Sequence, residues 1–366
     1  MTTDPTSCVA VQTLWPEIRD RYEFKFVFGM LYVLVFLCGF VGNCTVIYCI
    51  AYKHLQFSVR NIFVLSLAVS DVCIGLTSLP ATAVTNFSRE WLFGSVLCRA
   101  ITCIQGTCIF ASSFTLAAVA IDRYTAIVHN KRCRSDIPVS LLTTVLIWMC
   151  AVLFSSPTAA MAALIRYDNY SSIKICGEFC IENWPGETLR RSFSIGVMIL
   201  QYVIPTIITI FCYTRLARHV SFRVTKRCKE QYILPETNKR LQIRRMNTNR
   251  MTSAMVLTFM LSWLPMNVIN LMNDFDTGYL IMSSEYYDLA FTAAHLIAMT
   301  SILWNPFIYC CFNENFRTYI RSRLYDVNRH TRNSSNLSKE SDFQTIPVPK
   351  SNVTQKYTFN NSSVHL

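Results

Sequence analysis

Seven long apolar stretches recur along the chain between short polar connections. They run at roughly Phe24–Tyr52, Val59–Phe87, Ser95–Val128, Val139–Ile165, Phe193–Val220, Met251–Asn273 and Tyr286–Phe312. Each reaches the ~20 residues that a helix needs to cross a bilayer. Their polar residues are mostly Ser, Thr, Asn and Cys, which helices in lipid tolerate. The pattern predicts an all-α membrane protein, a seven-transmembrane helix bundle. No basic, small-residue-flanked signal peptide precedes the first stretch, so the first helix is expected to act as its own insertion signal. Phe312–Tyr325 has apolar and basic faces suited to a short amphipathic eighth helix on the membrane surface. The expected division is an extracellular N-terminus (1–23), the helical domain (24–312), the surface helix (313–327) and a cytoplasmic tail (328–366). That tail is rich in Ser, Asn and Thr, a composition expected to be disordered.

Composition agrees with this reading. Of 366 residues, 52% are hydrophobic and 15% charged, against about 25% charged in a soluble domain. The net charge of +12 is a matter of topology rather than of nucleic-acid binding. Arg215–Arg250 holds 11 Lys or Arg against Glu230 and Glu236, and the connections Lys53–Arg60, Lys131–Arg134 and Arg317–Arg332 are also basic. Met251–Phe316 contains no Lys or Arg, while Asp274, Asp276, Glu285 and Asp288 flank one connection. By the positive-inside rule the basic connections of this multi-pass protein face the cytoplasm, and with seven spans the N-terminus is expected outside.

Most of the 16 cysteines fall inside spans, where a thiol behaves as a small hydrophobe. An oxidising exterior favours a bridge from Cys98 to Cys176 or Cys180. Cys8 shows no evident partner. The sequon at Asn169 lies in an outer loop and is a glycosylation candidate, whereas that at Asn86 lies close to the membrane.

Charges inside apolar runs are costly and point to function. Asp122-Arg123-Tyr124 falls at the cytoplasmic end of the third span, where Asp122 can hold Arg123 until a crevice opens for a partner protein. Asp71 is a carboxylate in mid-span. Pro265, after Trp263, and Pro306, after Asn305 and before Tyr309, each remove a backbone hydrogen bond and kink their helices. Gly42-Asn43, Trp148 and Tyr213 complete the set.

Seven spans carrying these motifs in this order resemble the rhodopsin-like (class A) G-protein-coupled receptors, from Phe24 to about Tyr325. The resemblance implies coupling to a heterotrimeric G protein through Asp122, Arg123, Tyr124, Tyr213, Trp263, Pro265, Asn305, Pro306 and Tyr309. Arrestin, receptor kinases and membrane lipid are further implied partners. It also implies an allosteric sodium ion at Asp71, with Asn43, Ser112, Ser301 and Asn305 around it. No other cofactor and no enzymatic constellation is expected. Many relatives pair the third-span arginine with an acid at the base of the sixth; here that position is Arg245, so this lock is expected to be absent.

The segments Glu90–Gly94, Cys180–Glu187, Tyr213–Leu216 and His295–Tyr309 are similar to the neuropeptide Y and neuropeptide F receptors. This narrower resemblance implies the bridge Cys98–Cys180 and a ligand ending in Arg-Phe-amide or Arg-Tyr-amide. It implies Thr82 and Gln105 for the amidated end, Asn270 and Asp274 for the arginine, and His295 over the same pocket. The residue chemistry is compatible. Asn270 and Asp274 are four apart and share a helix face, a carboxylate accepts a guanidinium bidentately, and a neutral Gln105 suits an amide better than an amine. The pocket is expected to hold no basic side chain; Asp276, Glu285 and Asp288 could together steer a cationic peptide inward, although each singly reads more readily as part of a solvated acidic rim. A tachykinin-like peptide receptor and, from another class, a transporter are the alternatives; no internal repeat supports the latter.

Overall fold

The structure is a computed structural model that describes residues 8–52, 58–128, 136–166, 174–229, 236–275, 286–314 and 316–322, with side chains left aside over 220–229, 236–245 and at 248. Arg245 therefore has no described side chain. Asn169, Asp276, Glu285 and nearly all of the tail lie outside the described residues.

Among the described residues, seven helices are long and apolar enough to cross a membrane. They are α1 (Tyr22–Ala51), α2 (Val59–Ser88), α3 (Gly94–Val128) and α4 (Ile137–Met161). Next comes α5, which runs Glu187–Met198, through a π turn at Ile199–Val203, to Ile204–Lys229. Then follow α6 (Glu236–Phe275) and α7 (Tyr287–Phe312). In the bundle α3 packs against α2, α4 and α5, and α7 fits between α1 and α6. A hairpin of β1 (Ala162–Ile165) and β2 (Phe179–Glu182) connects α4 to α5, with Ala163 opposite Ile181. The first compact unit ends at Arg317; residues 318–322, the described part of the second, are helical, in keeping with the expected surface helix.

Side-chain donors repair what the prolines break. In lipid every backbone polar group needs an internal partner, and a helical proline deprives the carbonyl four residues earlier of its donor. Pro306 orphans the Ile302 carbonyl, and Asn43 Nδ2 on α1 donates to it at 2.8 Å. Pro205 orphans the Gln201 carbonyl, which accepts from Ser113 Oγ on α3. Pro157 orphans the Leu153 carbonyl, which accepts from Ser156 Oγ at 2.9 Å. The α1–α7 joint is also tight. A Cβ on Gly42 would come within 2.8 Å of the Pro306 ring, and one on Gly39 within 2.6 Å of Ile302. Asn43→Ala is therefore expected to leave the Ile302 carbonyl buried without a donor, costing about 1–3 kcal/mol. A thermal melt of the detergent-solubilised receptor reads this directly. Thr45→Ala is the control, since it loses only a hydroxyl bonded to the Val41 carbonyl of its own helix.

A polar ladder joins α2, α3 and α4. Ser66 Oγ lies 3.3 Å from Thr115 Oγ1 and accepts from Trp148 Nε1 at 3.0 Å. The mid-span tryptophan of α4 thus has a partner for its N–H.

Candidate functional site

At the Cys98 end of the bundle, Gly94 takes φ +74° to start α3. Trp91 Nε1 donates to its carbonyl at 2.8 Å, and Trp91 N donates to Glu178 O. Cys98 bonds Cys180 on β2, and this bridge is buried among Ala81, Trp91 and Ala162. Trp184 stacks on Phe193 of α5 at 4.8 Å and donates to Glu182 at 2.7 Å, which fastens the hairpin to α5.

Cys8 has a partner after all. It bonds Cys176, and Val9 N donates to Lys174 O while Cys176 N donates to Val9 O. The expectation of an unpaired Cys8 is corrected. Four cysteines fall in segments of the same end, and that parity was the available signal. From this bridge the N-terminal segment runs across to α2 and α7. Arg89 caps α2 in the left-handed region at φ 59°, a conformation that costs an arginine free energy. Its guanidinium reaches Glu17 at 2.7 Å, Asp20 at 3.1 Å and the Trp15 carbonyl at 2.5 Å. Arg19 pairs with Glu17 at 2.6 Å and Asp288 at 3.4 Å, and donates to Asn86 at 3.4 Å. Asp288 is therefore tied to the N-terminal segment through Arg19, with Glu17 also beside it, and is not a free rim charge. Asn86 donates to Thr292 at 2.8 Å and is buried, so a glycan there would displace this bond.

The expected pocket residues stand at this end of their helices. His295 is buried, and its Nδ1 lies 2.9 Å from Tyr32 Oη, tying α7 to α1. Thr82 and Gln105 are half-buried on α2 and α3, and Asn270 is exposed on α6. These three engage in no hydrogen bond with another described side chain. Asp274 does: Arg190 of α5 donates to its Oδ1 at 3.0 Å. The expectation of a pocket without a basic side chain is corrected, because Arg190 and Arg191 begin a span whose apolar pattern starts only at Phe193. Beneath lies an apolar floor containing Tyr32, Trp263, Met299 and Ile302, with Ile104 and Phe259 against it. Trp263 and Phe259 rings are 6.2 Å apart.

In mid-bundle Asp71 is 4% exposed and accepts from Asn305 Nδ2 at 2.8 Å. Ser112 bonds Ser70 at 2.8 Å. Asn43 spends its amide N–H groups on the Gly39 and Ile302 carbonyls, and its buried Oδ1 has no partner among the described residues. A hard cation takes oxygen donors. Asp71, Ser112 and Asn43 each carry one, whereas Asn305 turns its amide nitrogen to Asp71 and acts as a holder of that carboxylate.

At the Arg123 end, Arg123 Nη2 sits 2.5 Å from Asp122 Oδ2, with Asp122 buried and Arg123 about one-fifth exposed. Tyr124 packs on Phe211 of α5 at 6.1 Å. Tyr213 stands beside Arg123 and beside Thr252 and Ser253 of α6. Tyr309 is fully buried and donates to Asn61 of α2 at 3.0 Å, with Phe316 edge-on at 5.1 Å. Arg123 is thus held by its own helix and Tyr309 by α2.

A bundle of seven spans, bridged from α3 to the β hairpin and with side-chain donors at the carbonyls that Pro157, Pro205 and Pro306 leave free, has the form of a seven-helix membrane receptor. Residues 42–309 match the family 7 transmembrane receptor (rhodopsin family), and the chain belongs to it, among the receptors for neuropeptides. It is 35% identical over 322 residues to Neuropeptide receptor 3 of Caenorhabditis elegans, covering 86% of this chain and 83% of that one. It is 31% identical over 312 residues to human Neuropeptide Y receptor type 2, covering 82% and 78%. To the Neuropeptide F receptor of Drosophila melanogaster it is 30% identical over 304 residues, covering 80% and 61%. Membership makes it a multi-pass membrane protein and not an enzyme or a transporter.

Proposed function

We propose that this receptor answers an amidated neuropeptide ending in Arg-Phe-amide or Arg-Tyr-amide and signals through a heterotrimeric G protein of the inhibitory class. The observation that carries the reading is Asp274, a carboxylate 12% exposed at the Cys98 end of α6, one turn from Asn270. It supplies the acceptor a ligand guanidinium requires. Gln105 and Thr82 offer neutral donors and acceptors to the terminal amide, and His295, bonded to Tyr32, closes the same end. The similarity to receptors named for neuropeptides Y and F supports the ligand class.

The Cys98 end is then extracellular and the Arg123 end cytoplasmic. With Arg123 on Asp122 and Tyr309 on Asn61, the arrangement is the closed one. Peptide binding favours the population in which α6 swings outward at the Pro265 kink and Arg123 and Tyr213 meet the G protein. Arrestin and receptor kinases would read the tail once its Ser and Thr carry phosphate. A sodium ion held by Asp71, Ser112 and Asn43 Oδ1 would supply a positive charge to the buried carboxylate and stabilise this closed population.

The test is G-protein activation in cells expressing the chain, with each peptide of an Arg-Phe-amide and Arg-Tyr-amide panel paired with its free acid. Amides are expected to activate and acids to fail. Equal responses to both would remove the assignment of Gln105 and Thr82, and silence across the panel with confirmed surface expression would remove the ligand class.

A further inference from the structure

Asp274 already has a guanidinium partner. Arg190 Nη1 lies 3.0 Å from Asp274 Oδ1, and Arg190 is 84 residues away on a different helix. The rest of that guanidinium serves Glu187, with Nη2 at 2.9 Å and Nε at 3.2 Å from Glu187 Oε2. Arg190 thus gives Glu187 two N–H groups and Asp274 only one. The side chain of Arg190 is 30% exposed, so this contact is partly screened. A ligand arginine that presents two parallel N–H groups to the same carboxylate makes the stronger, bidentate pair. When it does so, Arg190 keeps Glu187 and is not left as an unpaired charge.

The local charge balance leaves room for one more cation. Glu182, Glu187 and Asp274 face Arg190 and Arg191, an excess of one acid. Arg191 is itself held 5.8 Å over the Phe275 ring and 3.9 Å from Glu187. Partial desolvation raises the pKa of Glu182, the Asp274 charge adds to the rise, and the Trp184 hydrogen bond and Arg190 oppose it. These groups therefore share one electrostatic neighbourhood.

We infer that Arg190 is an internal competitor for the ligand arginine: in the free receptor it occupies Asp274, and it thereby sets how strongly the receptor prefers arginine over a neutral isostere. The inference rests on the reading of Asp274 as the arginine acceptor. Two consequences follow from the chemistry. A ligand arginine must displace Arg190, which lowers its apparent affinity. A citrulline ligand leaves Asp274 paired with Arg190, so it escapes the penalty of a lone carboxylate. Arg190 thus narrows the gap between the two ligands from both sides.

The experiment measures displacement of a labelled Arg-Phe-amide octapeptide, and of its citrulline analogue, on membranes carrying wild type, R190Q, R190K and D274N, normalised to surface receptor number. R190Q is expected to bind the arginine peptide about fivefold more tightly, the worth of a ~1 kcal/mol exposed pair, and the citrulline peptide no more tightly than wild type. R190K, which keeps the charge, is expected to stay near wild type. An arginine preference that is unchanged or reduced in R190Q while D274N abolishes it would overturn the competitor role and leave the acceptor standing. An arginine preference surviving in D274N would overturn the acceptor itself, and the competitor with it.

Discussion

Asp274→Asn is expected to lower the potency of an Arg-Phe-amide peptide by about 100-fold, the ~2.7 kcal/mol typical of truncating one partner of a desolvated charge pair. The change keeps size but removes the charge and turns one acceptor oxygen into an N–H donor, so what is lost is the bidentate, charge-assisted pair. Replacing the ligand arginine by citrulline on wild type is expected to cost a smaller factor, because Asp274 then keeps Arg190 as its partner. Combining the two is expected to cost little more than Asp274→Asn alone, because both remove the same interaction. G-protein activation curves for the four combinations decide it. Multiplied, independent losses would show that Asp274 and the ligand arginine do not meet. Asn270 stands one turn away and exposed, so Asn270→Ala is expected to follow in the same direction with a smaller loss.

The second large effect concerns the two bridges at the same end. Cys98→Ser is expected to keep most of the receptor from the cell surface, whereas Cys8→Ser lets it arrive with a lower melting temperature. Loop closure does not separate the bridges. The chain-entropy account gives ~4.5 kcal/mol for the 82 residues of Cys98–Cys180 and ~5 kcal/mol for the 168 of Cys8–Cys176, and total stabilities are only about 5–15 kcal/mol. What separates them is burial and the other contacts of each segment. Cys98 is fully buried beneath Trp91, so the serine hydroxyl would stand in an apolar site. Cys8 is exposed. When its bridge is lost, the N-terminal segment still holds Arg89 through Glu17 and Asp20, and Asp288 through Arg19. Surface labelling and thermal melts of the four single Cys→Ser variants compare the bridges. Equal damage from Cys8→Ser would mean that the ion pairs do not tether the segment independently.

Much of this receptor is written locally. Apolar runs of sufficient length specify the spans because lipid admits only backbone that satisfies itself. Five of the seven runs end within four residues of the helix found, while the fifth and sixth helices run past theirs, over Glu187–Lys229 and Glu236–Phe275. Pro265 and Pro306 were legible as breaks in the hydrogen-bond ladder because a missing N–H is a property of one residue. Asp71, Asp122 and Arg123 stand out because charge in an apolar run is costly wherever the helix sits. Arg190 was missed for the same reason: it precedes the apolar run of α5, so hydropathy treats it as an ordinary flanking charge.

By itself, then, the sequence determined the number of spans, the prolines that break their hydrogen-bond ladders and the charges that had to be buried, since each depends on a residue and its near neighbours in lipid. Only the tertiary structure decided which groups meet. Cys8 finds Cys176, Arg19 finds Asp288, and Asn43 finds the carbonyl that Pro306 abandons, across 168, 269 and 259 residues. Such pairings depend on how helices rotate and stack, and no local pattern records them. The consequence for function is specific: Asp274 was legible as an acid on the right helix face, but that Arg190 already holds it follows only from bringing α5 and α6 together.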